Sequence, residues 1–132
     1  SAANALSIGQ AVKFDSAGQL VVCGAQTDGP LCIGIVVGGK LTDGVAMWSS
    51  ANVGTAVCAA TAGQEVLVAM NGSIVWAKKT TGATMSAGAT AACRASGGLV
   101  TGAVLLFSQV IGTPLVDAAS GDAVVKIILS KR

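Results

Sequence analysis

The chain is a succession of short apolar runs, each cut within a few residues by glycine or a small polar residue. Gln10-Ala11-Val12-Lys13-Phe14-Asp15 alternates, with Val12 and Phe14 on one face. Ser16-Ala17-Gly18 interrupts it, and Gln19-Leu20-Val21-Val22-Cys23 follows. Two such runs joined by three residues ending in glycine predict a β-hairpin. Residues 31–37 read as a buried strand from their β-branched content. After the turn Asp43-Gly44, residues 45–48 and, more weakly, 54–59 read as strands. Residues 65–70 form a strong strand pattern. Asn71-Gly72 then supplies a type I′ hairpin turn, and residues 73–77 return. Residues 89–94, 99–107, 109–111 and 123–129 complete the set. The Ala-rich stretch 84–93 carries Gly88 in its middle, which disfavours a helix. Strands at this spacing, separated by glycine turns, predict an all-β chain: a single compact β-barrel or sandwich-like domain with little or no helix.

Three segments share a turn-plus-strand form: Gly9-Gln10-Ala11-Val12, Gly63-Gln64-Glu65-Val66 and Gly121-Asp122-Ala123-Val124. Glycine offers the left-handed turn position, the Gln or Asp caps the turn, and Val opens a strand. Two further glycines, Gly34 and Gly112, each follow an isoleucine inside a strand pattern, which predicts a bulge or a close backbone approach. Gly72 belongs to the Asn-Gly turn. These six glycines are the expected structural turn and bulge positions.

The Ile33-Gly34 and Ile111-Gly112 pairs, followed by Ala60-x-x-Gly63-Gln64-x-Val66 and Ala118-x-x-Gly121-Asp122-x-Val124, resemble the small head-decoration (capsid cement) proteins of tailed bacteriophages. The match is best over residues 111–129, next over 32–72, and residues 9–22 fit the family's first hairpin. The resemblance covers about four-fifths of the chain. It implies a compact β-barrel-like domain, an oligomer with a trimer favoured, binding to the major capsid protein on the outside of the phage head, and no enzymatic activity. Such a protein would sit on the virion exterior after assembly in the bacterial cytoplasm. Two features depart from the family pattern: the four cysteines, and the Gly/Ala/Thr-rich stretch 80–98.

Composition adds to this picture. Apolar residues are 52% of the 132, but 24 of them are Ala and 17 are Val. Charged residues are 11%, against about 25% in an ordinary domain. So neutral an exterior suits a surface repeatedly covered by neighbours, because a buried unpaired charge is costly. The chain has no His and no Tyr. That excludes a Ser-His-Asp triad and an imidazole shuttle, and no cofactor or metal is expected. The net charge of +2 is spread along the chain, so no nucleic-acid partner is expected. The longest uncharged stretch, residues 95–116, is interrupted by glycine and Pro114 and does not read as a membrane span. The N-terminus shows no signal peptide pattern, and its small first residue fits removal of an initiator Met.

Cys23, Cys32, Cys58 and Cys93 are spaced by 9, 26 and 35 residues, without a C-x-x-C pair. That spacing favours buried thiols acting as small hydrophobes over disulfides, and disfavours a zinc or redox motif. Nearly all of the six acids lie beside glycine or at hairpin ends, as turn formers. Lys78-Lys79 and Lys131-Arg132 read as solvated strand guards. Trp48 and Trp76, both inside strand patterns, are candidate core or interface anchors. The uncharged segment Ser1, Ala2, Ala3, Asn4, Ala5, Leu6 and Ser7 is a candidate arm lying on the shell, ahead of a domain spanning 8–132. The rival readings are a pilin-like or head-fibre surface subunit and, less favoured, a small β-barrel ligand-binding protein.

Overall fold

The computed structural model describes residues 1–42, 58–94, 100–101 and 107–130. It is mostly β, with short 3₁₀ turns and no longer helix among the described residues. Among the described residues, four short antiparallel sheets build it, and none closes into a barrel. β2 (Ala11–Phe14) and β3 (Leu20–Val22) form the predicted hairpin, with Val12 opposite Val22 and Phe14 opposite Leu20. β4 (Gly34–Gly39) pairs with β2 on one side and with β6 (Val66–Ala69) on the other. A second sheet has the order β10–β11–β7, from β7 (Ile74–Lys78), β10 (Gly112–Pro114) and β11 (Val124–Leu129). β1 (Leu6–Ser7) pairs with β5 (Cys58–Ala60), and β8 (Ala92–Cys93) with β9 (Val100–Thr101).

The four-stranded sheet is covered on both faces, and the period of two explains how. Ala11, Ile35, Val37 and Ala69 point into a core shared with Val75, Ala77, Val125, Ile127 and Leu129 of the second sheet. Val12 and Val36 point the other way, into a core with Ala2, Leu6, Ile8, Leu20, Ala59 and Ala60. β4 is therefore buried along nearly its whole length. Small Ala and Val side chains suit a strand pressed between two layers, where packing is dense. The predicted alternation of β2 puts Ala11 and Val12 on opposite faces, as observed; both are buried because each face meets a core, while Phe14, at the strand end, is exposed.

The three repeated turns share one hydrogen-bond pattern. Gln10, Gln64 and Asp122 each accept, through a side-chain oxygen, the backbone N–H three residues earlier, from Ser7, Thr61 and Ala119. Each also donates its own N–H to the carbonyl of that same residue. Gly9 and Gly63 take the left-handed conformation, at φ 94° and 81°. Gly121 does not, and open space surrounds it. At Gly34 and Gly112 the reason for glycine is close approach. A β-carbon would meet the Ala69 carbonyl oxygen at 2.0 Å in the first case and the Ile128 carbonyl oxygen at 2.6 Å in the second.

Several local predictions are overridden. The Asn71-Gly72 turn forms, with Ser73 N–H bonded to the Met70 carbonyl and Gly72 at φ 92°. However, β6 and β7 leave it for different sheets and do not pair. Residues Gln26–Leu31 form a 3₁₀ turn containing Pro30, so the strand predicted from residue 31 starts at Gly34. A strand predicted at 109–111 is replaced by a 3₁₀ turn, Phe107–Gln109, and by β10. The stretch 80–94 runs along the 112–118 segment: Met85 and Ala118 exchange both backbone bonds, Ala91 N–H bonds the Gly112 carbonyl while the Ala91 carbonyl accepts the Ile111 N–H, and Gly88 N–H bonds the Pro114 carbonyl. The strand predicted at 45–48 and Trp48 lie outside the described residues.

Candidate functional site

Three of the four cysteines converge although the chain holds them far apart. Cys23 follows β3 and is pinned by its N–H to the Ala11 carbonyl. Cys32 follows the 3₁₀ turn and bonds the Gly29 carbonyl through its N–H. Cys93 closes β8. Their Sγ atoms all lie within 4.8 Å of one another. Cys23 and Cys93 are fully buried, and Cys32 is 3% exposed. All four cysteines are free thiols, as the spacing led us to expect. Convergence of three of them was not legible in that spacing.

Hydrogen bonding from the neighbouring Cys32 raises the Cys23 thiol far above its ordinary range, with Cys93 acting the other way and burial adding to the rise. Cys93 is raised by Cys23, then by Cys32, then by burial. Both shifts disfavour the thiolate at Cys23 and Cys93, and the thiolate is the form that reacts as a nucleophile. The Cys32 Sγ–H points at the Gly34 carbonyl, 3.7 Å away.

Beside the cluster, Lys13 Nζ donates to Asp28 Oδ1 at 2.7 Å, and Asp28 Oδ2 accepts the Gly24 N–H. The bond to Asp28 raises the Lys13 pKa. Partial burial pushes the Asp28 carboxyl up, but Lys13 and the Gly24 and Ala25 amides outweigh it and hold the group below its usual value.

Lys79 corrects the expectation of a solvated strand guard. It is 1% exposed, and its Nζ donates to the Thr80 and Ala83 carbonyls. Its partner Lys78 is half-buried. Lys131 and Arg132 lie outside the described residues.

The candidate arm is also corrected. Ala2 and Leu6 are buried in the second core. Ala2 N–H bonds the Gln64 carbonyl, Ala3 N–H bonds the Leu20 carbonyl, and the Ser1 carbonyl accepts the Leu20 N–H. Residues 1–7 are thus part of the domain. Apolar side chains at positions 2 and 6 hold them there, and of the seven only Ser1, Asn4 and Ala5 are exposed. Trp76 is half-buried against the same core, with Lys126 Nζ 6.0 Å from its ring centre.

Several large apolar side chains face solvent. Leu31 and Met70 are each 60% exposed, and Phe14, Leu67 and Ile74 are about half exposed. β6 is the last strand of its sheet among the described residues, so Leu67 sits on an edge with no further strand beside it. Two open recesses flank β6. Ser1, Gly39, Lys40, Glu65, Val66 and Leu67 line the first, and Cys32, Ile33, Met70 and Asn71 the second. No family model matches the chain, and no curated protein matches it.

Proposed function

We propose that the chain is a structural surface-binding protein that decorates the outside of a bacteriophage head and stabilises the assembled shell. One observation carries this reading: β6 is an edge strand among the described residues, with Leu67 exposed on it and Met70 exposed just past its end, in a chain poor in charge. An edge strand with apolar side chains invites pairing or close packing with another chain. Left bare on a free monomer, it is an aggregation hazard.

The two-core build supports the same role. A sheet packed on both faces is stiff, and a stiff surface binds without a large ordering cost. A protein that binds only the assembled shell stabilises it by mass action. The resemblance of the glycine turns to head-decoration proteins points the same way, and self-association as a trimer would repeat one contact around a local three-fold axis.

The test is co-sedimentation with assembled heads and with unassembled major capsid subunits. Binding to heads alone, reduced by Leu67→Lys, is expected. Equal binding to both, or none to either, overturns the proposal.

A further inference from the structure

We propose that Cys23, Cys32 and Cys93 form a three-coordinate site for a soft, thiophilic metal ion, and that Cu(I) is the ion whose coordination habits the site matches. The three sulfurs come from three separate segments and converge within 4.8 Å. A metal–sulfur bond of about 2.3 Å places the sulfurs of a trigonal site about 4 Å apart. The thiols therefore stand close to ligating distance, and a small inward shift of each Sγ completes the ring.

The donor set selects the metal. All three donors are sulfur, and the chain contains no His. Thiolates favour Cu(I) and Zn(II) among the common ions. Zn(II) is almost always four-coordinate in closed structural sites. Among the described residues no fourth Cys, Asp or Glu side chain joins the three sulfurs, so the protein's own donors stop at three. The carboxylate that acts electrostatically on Cys23, Asp28, is already engaged by Lys13 and Gly24. Cu(I) is satisfied by three thiolates and needs nothing further.

An access route exists on the Cys32 side. Cys32 lines the recess that also holds Ile33, Met70 and Asn71. The exposed Met70 thioether is a soft donor at its mouth, able to receive Cu(I) and pass it inward. Binding changes no oxidation state: each thiol that ligates forms one Cu–S bond and releases its proton to solvent. Three thiolates around Cu(I) carry two net negative charges, and the Lys13 ammonium, which interacts electrostatically with Cys23, offsets part of that charge.

The test titrates the full chain anaerobically with Cu(I) against a chromophoric Cu(I) chelator. One ion per chain is expected, with a sulfur-to-copper charge-transfer band and three sulfur neighbours by X-ray absorption. Cys58→Ser should change nothing. Cys93→Ala should weaken binding more than the ~10–100-fold typical when a partner behind a metal ligand is lost. Should Cys93→Ala fail to fold, the absorption spectrum of the unaltered chain decides by its sulfur count. Failure to compete with the chelator, retention of affinity in a folded Cys93→Ala, loss of it in Cys58→Ser, or a four-coordinate Zn(II) complex of equal affinity would each overturn the proposal.

Discussion

A β-carbon on Gly34 would stand 2.0 Å from the carbonyl oxygen of Ala69, closer than any real contact allows. β4 and β6 can pair in the observed register because that carbon is missing. Gly34→Ala should therefore destabilise the fold by about 1–3 kcal/mol or more, as overpacking does. Gly121→Ala, in open space without a left-handed φ, should be nearly neutral. Gly63→Ala, at φ 81° in open space, should cost ~1–2 kcal/mol from the left-handed backbone alone. Urea unfolding of the three variants checks the order.

Residues 1–7 are held by buried Ala2 and Leu6 and by backbone bonds to Leu20, Gly63 and Gln64. Deleting them should cost about 3 kcal/mol or more, from one fully buried leucine and several hydrogen bonds. Asn4→Lys and Ala5→Lys, at exposed positions, should leave the unfolding midpoint within ~0.5 kcal/mol of its value. Those two substitutions test a shell contact by this segment without unfolding it: unchanged head binding in both would remove the contact from consideration.

The Lys79 ammonium satisfies the Thr80 and Ala83 carbonyls from inside the protein. Lys79→Met keeps much of the volume and removes the donor. It should destabilise by about 1–3 kcal/mol, the cost of leaving buried acceptors unpaired. Amide hydrogen exchange should speed up most at 79–83, where Lys79 N–H bonds Ala123 and Gly82 N–H bonds Ser120.

Asp28 lies below its ordinary pKa of 3.8 in the folded chain. A depressed carboxyl stabilises the fold above the unfolded value, and that stabilisation disappears as pH falls through the lower folded value. Stability should therefore fall on acidification below about pH 4, the usual carboxylate range. Asp28→Asn should flatten that part of the profile. An equally steep acid limb in the variant would show that other carboxylates dominate it.

Four thiols should react after unfolding without reductant, because all four cysteines are free. In the native chain Cys58, which is half-buried, should react first, and Cys23 and Cys93 only after opening. A thiol-reagent time course with peptide mapping separates them.

The turns were legible in the sequence because their chemistry is local. Gln10, Gln64 and Asp122 each cap a residue three positions back, so the same four-residue pattern yields the same bonds wherever it occurs. The β2–β3 hairpin and the all-β class followed from the same short-range rules. The Asn71-Gly72 turn was also legible, but not the fate of its strands. A turn sets the chain direction, while β6 and β7 find partners according to which apolar face each must bury. Lys79 looked like a surface residue, because nothing near it in sequence announces the carbonyls that receive it.

By itself, the sequence determined the repeated glycine turns, the β2–β3 hairpin, that the fold is all-β, and that imidazole chemistry is absent. Only the tertiary structure decided that β4 is buried between two cores, that residues 1–7 belong to the domain, and that Cys23, Cys32 and Cys93 meet. The physical reason is range. Turn and strand preferences act over three or four residues, whereas burial and sulfur–sulfur proximity depend on how separate sheets stack, which no local spacing encodes.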